Sequence, residues 1–205
     1  IGRSVFPQEL EGQQIGAYLL VTLDAGSQDE LDNMLEQMAE LVLDAGAMDV
    51  LVADTPAKIK DAWAARSSFL EAIMHETKLL DECDVVVPVN KIADYLDFVN
   101  KTGEDCGLVI KSFGHAGDGN LHIYQCSNDL EEEEFKSRVD KFFEIIYREA
   151  TNCGGLVSGE HGIGSGKIKY LVDSVGETNM ALMEGIKRVF DPKMILNPGK
   201  VCYRL

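Results

Sequence analysis

The chain has 205 residues, a length that fits one large domain or one compact two-lobed unit. Its 45% hydrophobic and 26% charged residues are ordinary for a globular protein that buries a core. A net charge of −16 argues against binding to nucleic acid or to an anionic membrane, since both attract lysine and arginine.

Cellular location is indicated by the apolar runs and the cysteines. No apolar run reaches the length of a membrane helix, and no segment resembles a secretory signal. The five cysteines are spread out, odd in number and without a C-x-x-C pair. This usage is typical of reduced thiols and argues against a disulfide framework or a cysteine-only metal site. We therefore expect a cytoplasmic protein.

The first part of the chain alternates strand and helix signals. Residues 17–23 (AYLLVTL) predict a strand. Ser27 and Glu30 form a capping box that opens an amphipathic helix, and Gly46 ends it. A short strand is predicted at 50–53, and Thr55 followed by proline begins a second helix.

The rest of the chain adds a hairpin. A strand at 84–89 and a helix at 91–100 precede a hairpin at 108–126, which is followed by a further helix. A glycine-dense loop at 158–166 leads to a final helix at 177–190. The hairpin makes part of the sheet antiparallel, so the pattern predicts an α+β fold in which helices cover a largely antiparallel sheet.

Two histidines flank the turn of the predicted hairpin. Asp118 and Gly119 are a strong signal for a two-residue turn. A turn centred there pairs 117 with 120 and His115 with His122, whose Cβ atoms would be about 4.5–5.5 Å apart. That spacing suits two imidazoles that converge on one metal ion. The alternative is a pair of hydrogen-bonded structural histidines.

The sequence GEHGIG at 159–164 surrounds two chemically active side chains with glycine. Glu160 is the best candidate for a third metal ligand, and two imidazoles with one carboxylate leave an open position on the metal. The ligand set suits Zn²⁺, with Mn²⁺, Fe²⁺ and Co²⁺ as alternatives. Adjacent side chains diverge, so His161 would be free to act as a general base. The alternative is a plain flexible loop.

Several motifs together resemble one family. They are GHAGDGNLH at 114–122, GEHGIG at 159–164 followed by Lys167, DPKMILNPGK at 191–200, WAAR at 63–66 and VVVP at 85–88. In this order they resemble the C-terminal region of the FAD-linked oxidases. That family includes D-lactate dehydrogenases, the glycolate oxidase flavoprotein subunit and D-2-hydroxyglutarate dehydrogenase. The resemblance implies a ferredoxin-like cap sheet at about 15–150 and a helical C-terminal segment at about 165–205.

The resemblance also implies roles for single residues. His115, His122 and Glu160 would hold a divalent metal, and His161 would take the proton from the 2-hydroxyl of a hydroxy acid. The metal would bind the hydroxyl and carboxylate oxygens of this acid and lower the pKa of the hydroxyl. Hydride would pass from C2 to the flavin of FAD.

Two further residues match the family at substrate and cofactor positions. Arg66 would pair with the substrate carboxylate, for which its planar fork is suited. Asn197 would lie near the flavin, beside Glu160 and His161. The alternatives are a surface arginine on a helix and an ordinary turn at Asn197-Pro198.

The family's FAD-binding half does not match any part of this sequence. The chain starts with Ile1 and enters structure quickly, so we expect a fragment that is inactive without an FAD-binding domain. Tyr124 and Leu70 stand where polar residues would help to hold a longer diacid, which favours lactate or glycolate as the substrate. The electron acceptor would be a quinone, a cytochrome or an electron-transfer flavoprotein. A homodimer, or peripheral membrane attachment through a partner, is compatible with this interpretation.

Two other functions were weighed against this one. A non-catalytic interaction subunit of the same fold is disfavoured, because such a copy should have lost some of the four residues His115, His122, Glu160 and His161. A metal-dependent hydrolase would use the same site without flavin, but neither H-E-x-x-H nor a nucleophile elbow supports it.

Overall fold

The computed structural model describes residues 15–202. It divides into two compact units, Ile1–Leu70 and Glu71–Leu205. Within the described range the chain forms six α-helices, a short 3₁₀ helix and a three-stranded antiparallel sheet. The α+β class with an antiparallel sheet is thereby confirmed.

The helices of the first unit begin where their caps predict. Helix α1 spans Gln28–Asp44, and the Ser27 hydroxyl accepts a hydrogen bond from the backbone N–H of Glu30 at 3.3 Å. Helix α2 spans Pro56–Ser67, and Thr55 caps it in the same way. A side-chain oxygen at this position satisfies a backbone donor that the helix itself leaves unpaired.

The two strands predicted in the first unit are wrong. Residues 17–23 and 50–53 have no strand pairing in the structure, and most of their side chains are exposed. Apolar and β-branched residues favour an extended backbone, but a strand forms only where a partner offers hydrogen bonds. Local sequence carries no information about that partner, which explains the error.

The second unit is built on the sheet. Helix α3, Phe69–Glu76, leads into strand β1, Leu79–Val86. Strands β2, Val109–His115, and β3, Asn120–Ser127, form the hairpin, and β3 lies in the centre of the order β1-β3-β2. The predicted first strand of this region, 84–89, therefore begins earlier and ends at Val86, shortly before Pro88.

Helices cover one face of the sheet. Helix α4 spans Ile92–Cys106 and helix α5 spans Glu132–Asn152, and both pack on the strands. The core includes the fully buried residues Val85, Val99, Ile123, Phe142 and Ile146. Burial of each such side chain stabilises the fold by about 1.5–3 kcal/mol.

The opposite face of the sheet carries polar side chains. Directly paired residues share a face, and successive residues alternate between faces. The pairings Glu82 with Tyr124, and Asp84 with His122 and Phe113, therefore group acidic and aromatic side chains on the face away from α4 and α5. The candidate site develops on this face.

The last helix is longer than predicted. Helix α6 spans Ile168–Phe190, and Gly176 interrupts it with φ 75° and ψ 165°. The predicted helix 177–190 is the part after this interruption. None of the helices in the described part of the chain combines the length and apolar character needed to cross a membrane.

Candidate functional site

The hairpin turn has four residues rather than two. His115 pairs with Asn120, and His122 pairs with Phe113, so the predicted pairing of His115 with His122 is wrong. The carbonyl of His115 accepts hydrogen bonds from the backbone N–H groups of both Asp118 and Gly119, at 3.3 and 3.0 Å, which closes a longer loop. A dipeptide signal indicates a turn but does not determine how many residues the loop contains.

The two histidines nevertheless lie on one face and close together. The observed register differs from the predicted one by two residues, and a shift of two preserves the face of each side chain. The rings of His115 and His122 have centroids 5.7 Å apart and meet edge to face. His115 and His122 are diagonal neighbours in the hairpin, and their imidazoles still lie close together, as they would in a directly opposed pair.

Glu160 completes a group of three potential ligands. Its Oε1 atom lies 2.7 Å from His122 Nε2. Ligand atoms of His115, His122 and Glu160 all lie within 4.8 Å of one another. His122 is buried, whereas His115 and Glu160 are exposed, so the group opens on one side to solvent. Two imidazoles and a carboxylate are a donor set that suits Zn²⁺, Mn²⁺ or Fe²⁺.

The glycine-rich loop is held in place by Asp84 of β1. One oxygen of its carboxylate accepts the backbone N–H groups of Gly159, Glu160 and His161 at 2.7, 2.8 and 3.0 Å. The Ser158 hydroxyl donates to the same carboxylate. Three consecutive N–H groups directed at one oxygen form an anion-binding nest, and here the anion is a side chain of the protein. The loop at this point is therefore anchored to the sheet.

The charge of Asp84 is balanced by Lys167. Burial alone would raise the pKa of the Asp84 carboxyl, but the backbone hydrogen bonds from His161 and Glu160, together with the Lys167 ammonium, outweigh it and hold this pKa well below its usual range. Lys167 and Asp84 form an ion pair in which the carboxylate is fully buried. The Lys167 side chain is only 16% exposed, so it is not a solvated surface charge.

Close packing explains one of the glycines in this loop. A Cβ atom on Gly159 would overlap the Oδ1 atom of Asn120 at the start of β3. Gly162 and Gly164 have φ of 77° and 55°, a region that glycine adopts without steric cost. The segment GEHGIG is therefore shaped both by a close approach to the hairpin and by its backbone angles.

Glu82 is a site residue that sequence reasoning missed. Its Oε1 atom lies 3.5 Å from His122 Nδ1 and 3.4 Å from His161 Nδ1. Glu82, His122 and His161 form a second group whose ligand atoms lie within 4.8 Å of one another. A signal for Glu82 and Asp84 did exist: two carboxylates at positions i and i+2 directly before an apolar strand share one face of the sheet.

The remaining predicted site residues belong to other segments of the chain. Arg66 is half-buried in α2 of the first unit, whereas the cluster contains residues of the second unit. Asn197 is exposed in the C-terminal tail, with φ 45°. The tail is joined to the glycine-rich loop by a hydrogen bond of 2.7 Å from the Val201 N–H to the Gly164 carbonyl. His75 is exposed on α3.

Comparison with known proteins shows which family this chain resembles. The family model described as "FAD linked oxidases, C-terminal domain" matches residues 5–201. A D-lactate dehydrogenase of Anaerostipes hadrus is 60% identical over the whole chain, which corresponds to 43% of that relative. The glycolate oxidase subunit GlcD of Bacillus subtilis is 33% identical over 90% of the chain and 39% of its own length.

A third relative is also a D-lactate dehydrogenase. A D-lactate dehydrogenase of Archaeoglobus fulgidus is 35% identical over the whole chain and 43% of its own length. The chain thus spans less than half the length of the curated relatives that it matches. Since the family model covers nearly all of its residues, the chain belongs to the family of FAD-linked oxidase C-terminal domains.

Proposed function

We propose that this chain is the substrate-binding part of an FAD-dependent dehydrogenase that oxidises a small D-2-hydroxy acid, of the lactate or glycolate class, to the 2-oxo acid. The names of the relatives support this class of reaction, since they are D-lactate dehydrogenases and a glycolate oxidase subunit. The convergence of two histidines and a glutamate at the end of the hairpin is the observation that carries the proposal.

His115, His122 and Glu160 would hold a divalent metal, with Zn²⁺ as the first choice and Mn²⁺ or Fe²⁺ as alternatives. The geometry supports this role in two ways. The three ligand atoms lie close enough for one ion, and the carboxylates Glu82 and Glu160 bring negative charge next to His122. When bound, the metal supplies a Lewis acid that lowers the pKa of a coordinated hydroxyl.

His161 is proposed as the base that takes the proton from the 2-hydroxyl. Its ring lies 4.9 Å from that of His122, centroid to centroid, and it is exposed. The Asp84 carboxylate holds the backbone N–H of His161, so the base is carried by an anchored loop rather than a flexible one. A positioned base contributes about 10²–10⁴-fold to a proton transfer.

Arg66 is proposed to bind the substrate carboxylate, and Asn197 to contact the flavin together with Glu160 and His161. FAD would accept the hydride from C2 and would be held mainly by an FAD-binding domain. The electrons would then pass to a quinone, a cytochrome or an electron-transfer flavoprotein.

The FAD-binding domain is the proposed partner of an apolar stripe on α6. Leu182, Ile186, Val189 and Phe190 follow one face of this helix at helical spacing, and all four are more than half exposed. A run of exposed apolar side chains along one helix face is typical of an interaction site. The relatives are more than twice as long as this chain, so each contains further sequence that such a surface would contact.

The test is reduction of FAD by D-lactate and glycolate in the enzyme assembled with its FAD-binding domain. We expect the His161→Asn variant to reduce kcat by at least about 100-fold. The His75→Asn variant, which changes an exposed histidine on α3, serves as the control and should leave kcat unchanged. Turnover that is independent of flavin, or equal activity in the His161 variant and the control, would overturn the proposal.

A further inference from the structure

Glu82 has no role in the proposed reaction so far, although it lies between two of its histidines. Its Oε1 atom faces the Nδ1 atom of both His122 and His161, at 3.5 and 3.4 Å. The other ring nitrogen of His122, Nε2, faces Glu160 at 2.7 Å. The two nitrogens of His122 therefore have two different carboxylate neighbours.

The position of the proton on the His122 imidazole determines what each of these carboxylates can do. A neutral imidazole carries one N–H, and the nitrogen that binds a metal must be the other one. If His122 binds through Nε2, its Nδ1 must carry the proton. This Nδ1 atom is buried and has no hydrogen-bond partner in the described part of the chain within ordinary bonding geometry. Glu82 Oε1 is the acceptor positioned to satisfy it after a small movement.

We propose that Glu82 is a positioning residue that accepts the Nδ1–H of His161, and also that of His122 once a metal is bound at His122 Nε2. It thereby leaves the Nε2 lone pair of each ring free, one for the metal and one for the substrate proton. A carboxylate behind a metal-binding histidine is a recurrent way to set ring orientation. This inference rests on the proposed metal site and adds that one carboxylate orients both the ligand and the base.

Glu82 is itself held in position. The Tyr124 hydroxyl donates a hydrogen bond of 3.0 Å to Glu82 Oε1. Tyr124 is buried, and its ring stacks on Phe113 with centroids 5.1 Å apart. All three donors face Oε1, which has two acceptor positions, so Oε2 must accept one of them when both imidazoles donate.

The tautomer of each ring is the direct readout. We would record nitrogen NMR spectra of the full 205-residue chain labelled on histidine, without metal or flavin, at a pH where the rings are neutral. We expect Nδ1–H for His161 in the native chain, whereas metal-free His122 should carry its proton on Nε2, which faces Glu160 at 2.7 Å. Glu82→Leu should shift the His161 ring towards Nε2–H, while Glu82→Gln, which keeps the shape and one acceptor oxygen, should restore its native tautomer. Glu144→Leu, at an exposed glutamate of α5, is the control.

Metal binding is the second readout. Glu82→Leu should weaken Zn²⁺ binding by about 10- to 100-fold, and the absorption bands of bound Co²⁺ should keep their shape. An unchanged His161 tautomer in Glu82→Leu would overturn the inference, and a Co²⁺ spectrum with altered coordination would overturn it by making Glu82 a ligand. A native chain that binds no metal would remove the proposed metal site, but the His161 tautomer would still decide the role of Glu82.

Discussion

Asp84 and Lys167 form a buried ion pair beneath the loop that carries Glu160 and His161. The Asp84 carboxylate has 0% exposure, and it also accepts the backbone N–H groups of Gly159, Glu160 and His161. Asp84 belongs to β1, and Lys167 precedes α6. The pair therefore lies where the sheet of the second unit meets the loop on which the proposed chemistry depends.

Replacement of Asp84 by asparagine should destabilise the protein. The change leaves the Lys167 ammonium without its partner and removes the charge that the three N–H groups bind. Removal of one member of a buried pair costs about 3–5 kcal/mol. The free energy of unfolding would be measured with urea and circular dichroism. The control, Asp105→Asn, breaks the exposed ion pair with Lys101 on α4 and should change the free energy of unfolding by about 0.5 kcal/mol or less. Equal effects of the two changes would contradict the role of Asp84.

The low pKa of Asp84 also predicts how the stability of the protein depends on pH. The pKa of Asp84 lies below its usual value of 3.8 in the folded protein, because hydrogen bonds and Lys167 outweigh the opposing effect of burial. The unfolded chain therefore binds a proton before the folded chain does, and stability falls as the pH drops below about 5. The Asp84→Asn variant should show a shallower decline between about pH 5 and pH 3. Parallel curves for the two proteins would show that Asp84 does not contribute to this decline.

Gly159 should not tolerate a side chain. A Cβ atom there would overlap Asn120 Oδ1, so Gly159→Ala must displace the buried Asn120 side chain, the loop or the start of β3. Overpacking of this kind costs about 1–3 kcal/mol, and it should weaken metal binding because Glu160 follows directly. Gly166→Ala is the matched control, since a Cβ at Gly166 meets nothing within 4 Å and its φ is not positive. A Gly159→Ala protein with native stability and metal affinity would disprove the close approach.

Thiol reactivity tests the burial of the cysteines. Cys83, Cys106, Cys126 and Cys202 are buried and only Cys153 is partly accessible, all five as free thiols. Burial raises the pKa of Cys83 to about 12, which removes its thiolate at neutral pH. We expect one of the thiols to react with a disulfide reagent in the native chain, and Cys153→Ser to abolish that reaction. In denaturant all five thiols should react with the reagent. A smaller number of reactive thiols in denaturant would indicate a disulfide.

Local signals in the sequence predicted local structure well. The caps at Ser27 and Thr55 were found because a capping side chain bonds to a backbone group three residues away. The face shared by His115 and His122 was found because strand periodicity and a turn dipeptide lie within one short segment. The exact pairing was wrong, since the loop length depends on contacts such as the hydrogen bond from Val87 N–H to the Gly119 carbonyl.

Long-range relationships were beyond such signals. The strands predicted at 17–23 and 50–53 required partners that local propensity does not specify. Asp84 meets the glycine-rich loop across more than 70 residues of sequence, and Glu82 meets His161 over a similar separation. The resemblance to a family predicted which residues carry chemistry, but the contacts that hold those residues became visible only in the folded chain.

Metal binding by the purified chain tests the central claim most directly. We predict that the native chain binds about one equivalent of Zn²⁺ or Mn²⁺ at a site with two histidine ligands and an open position. His115→Ala, His122→Ala and Glu160→Gln should each abolish or strongly weaken this binding, and His75→Ala should not. The account would be contradicted if the native chain bound no divalent metal, or if all four variants bound it with the affinity of the native chain.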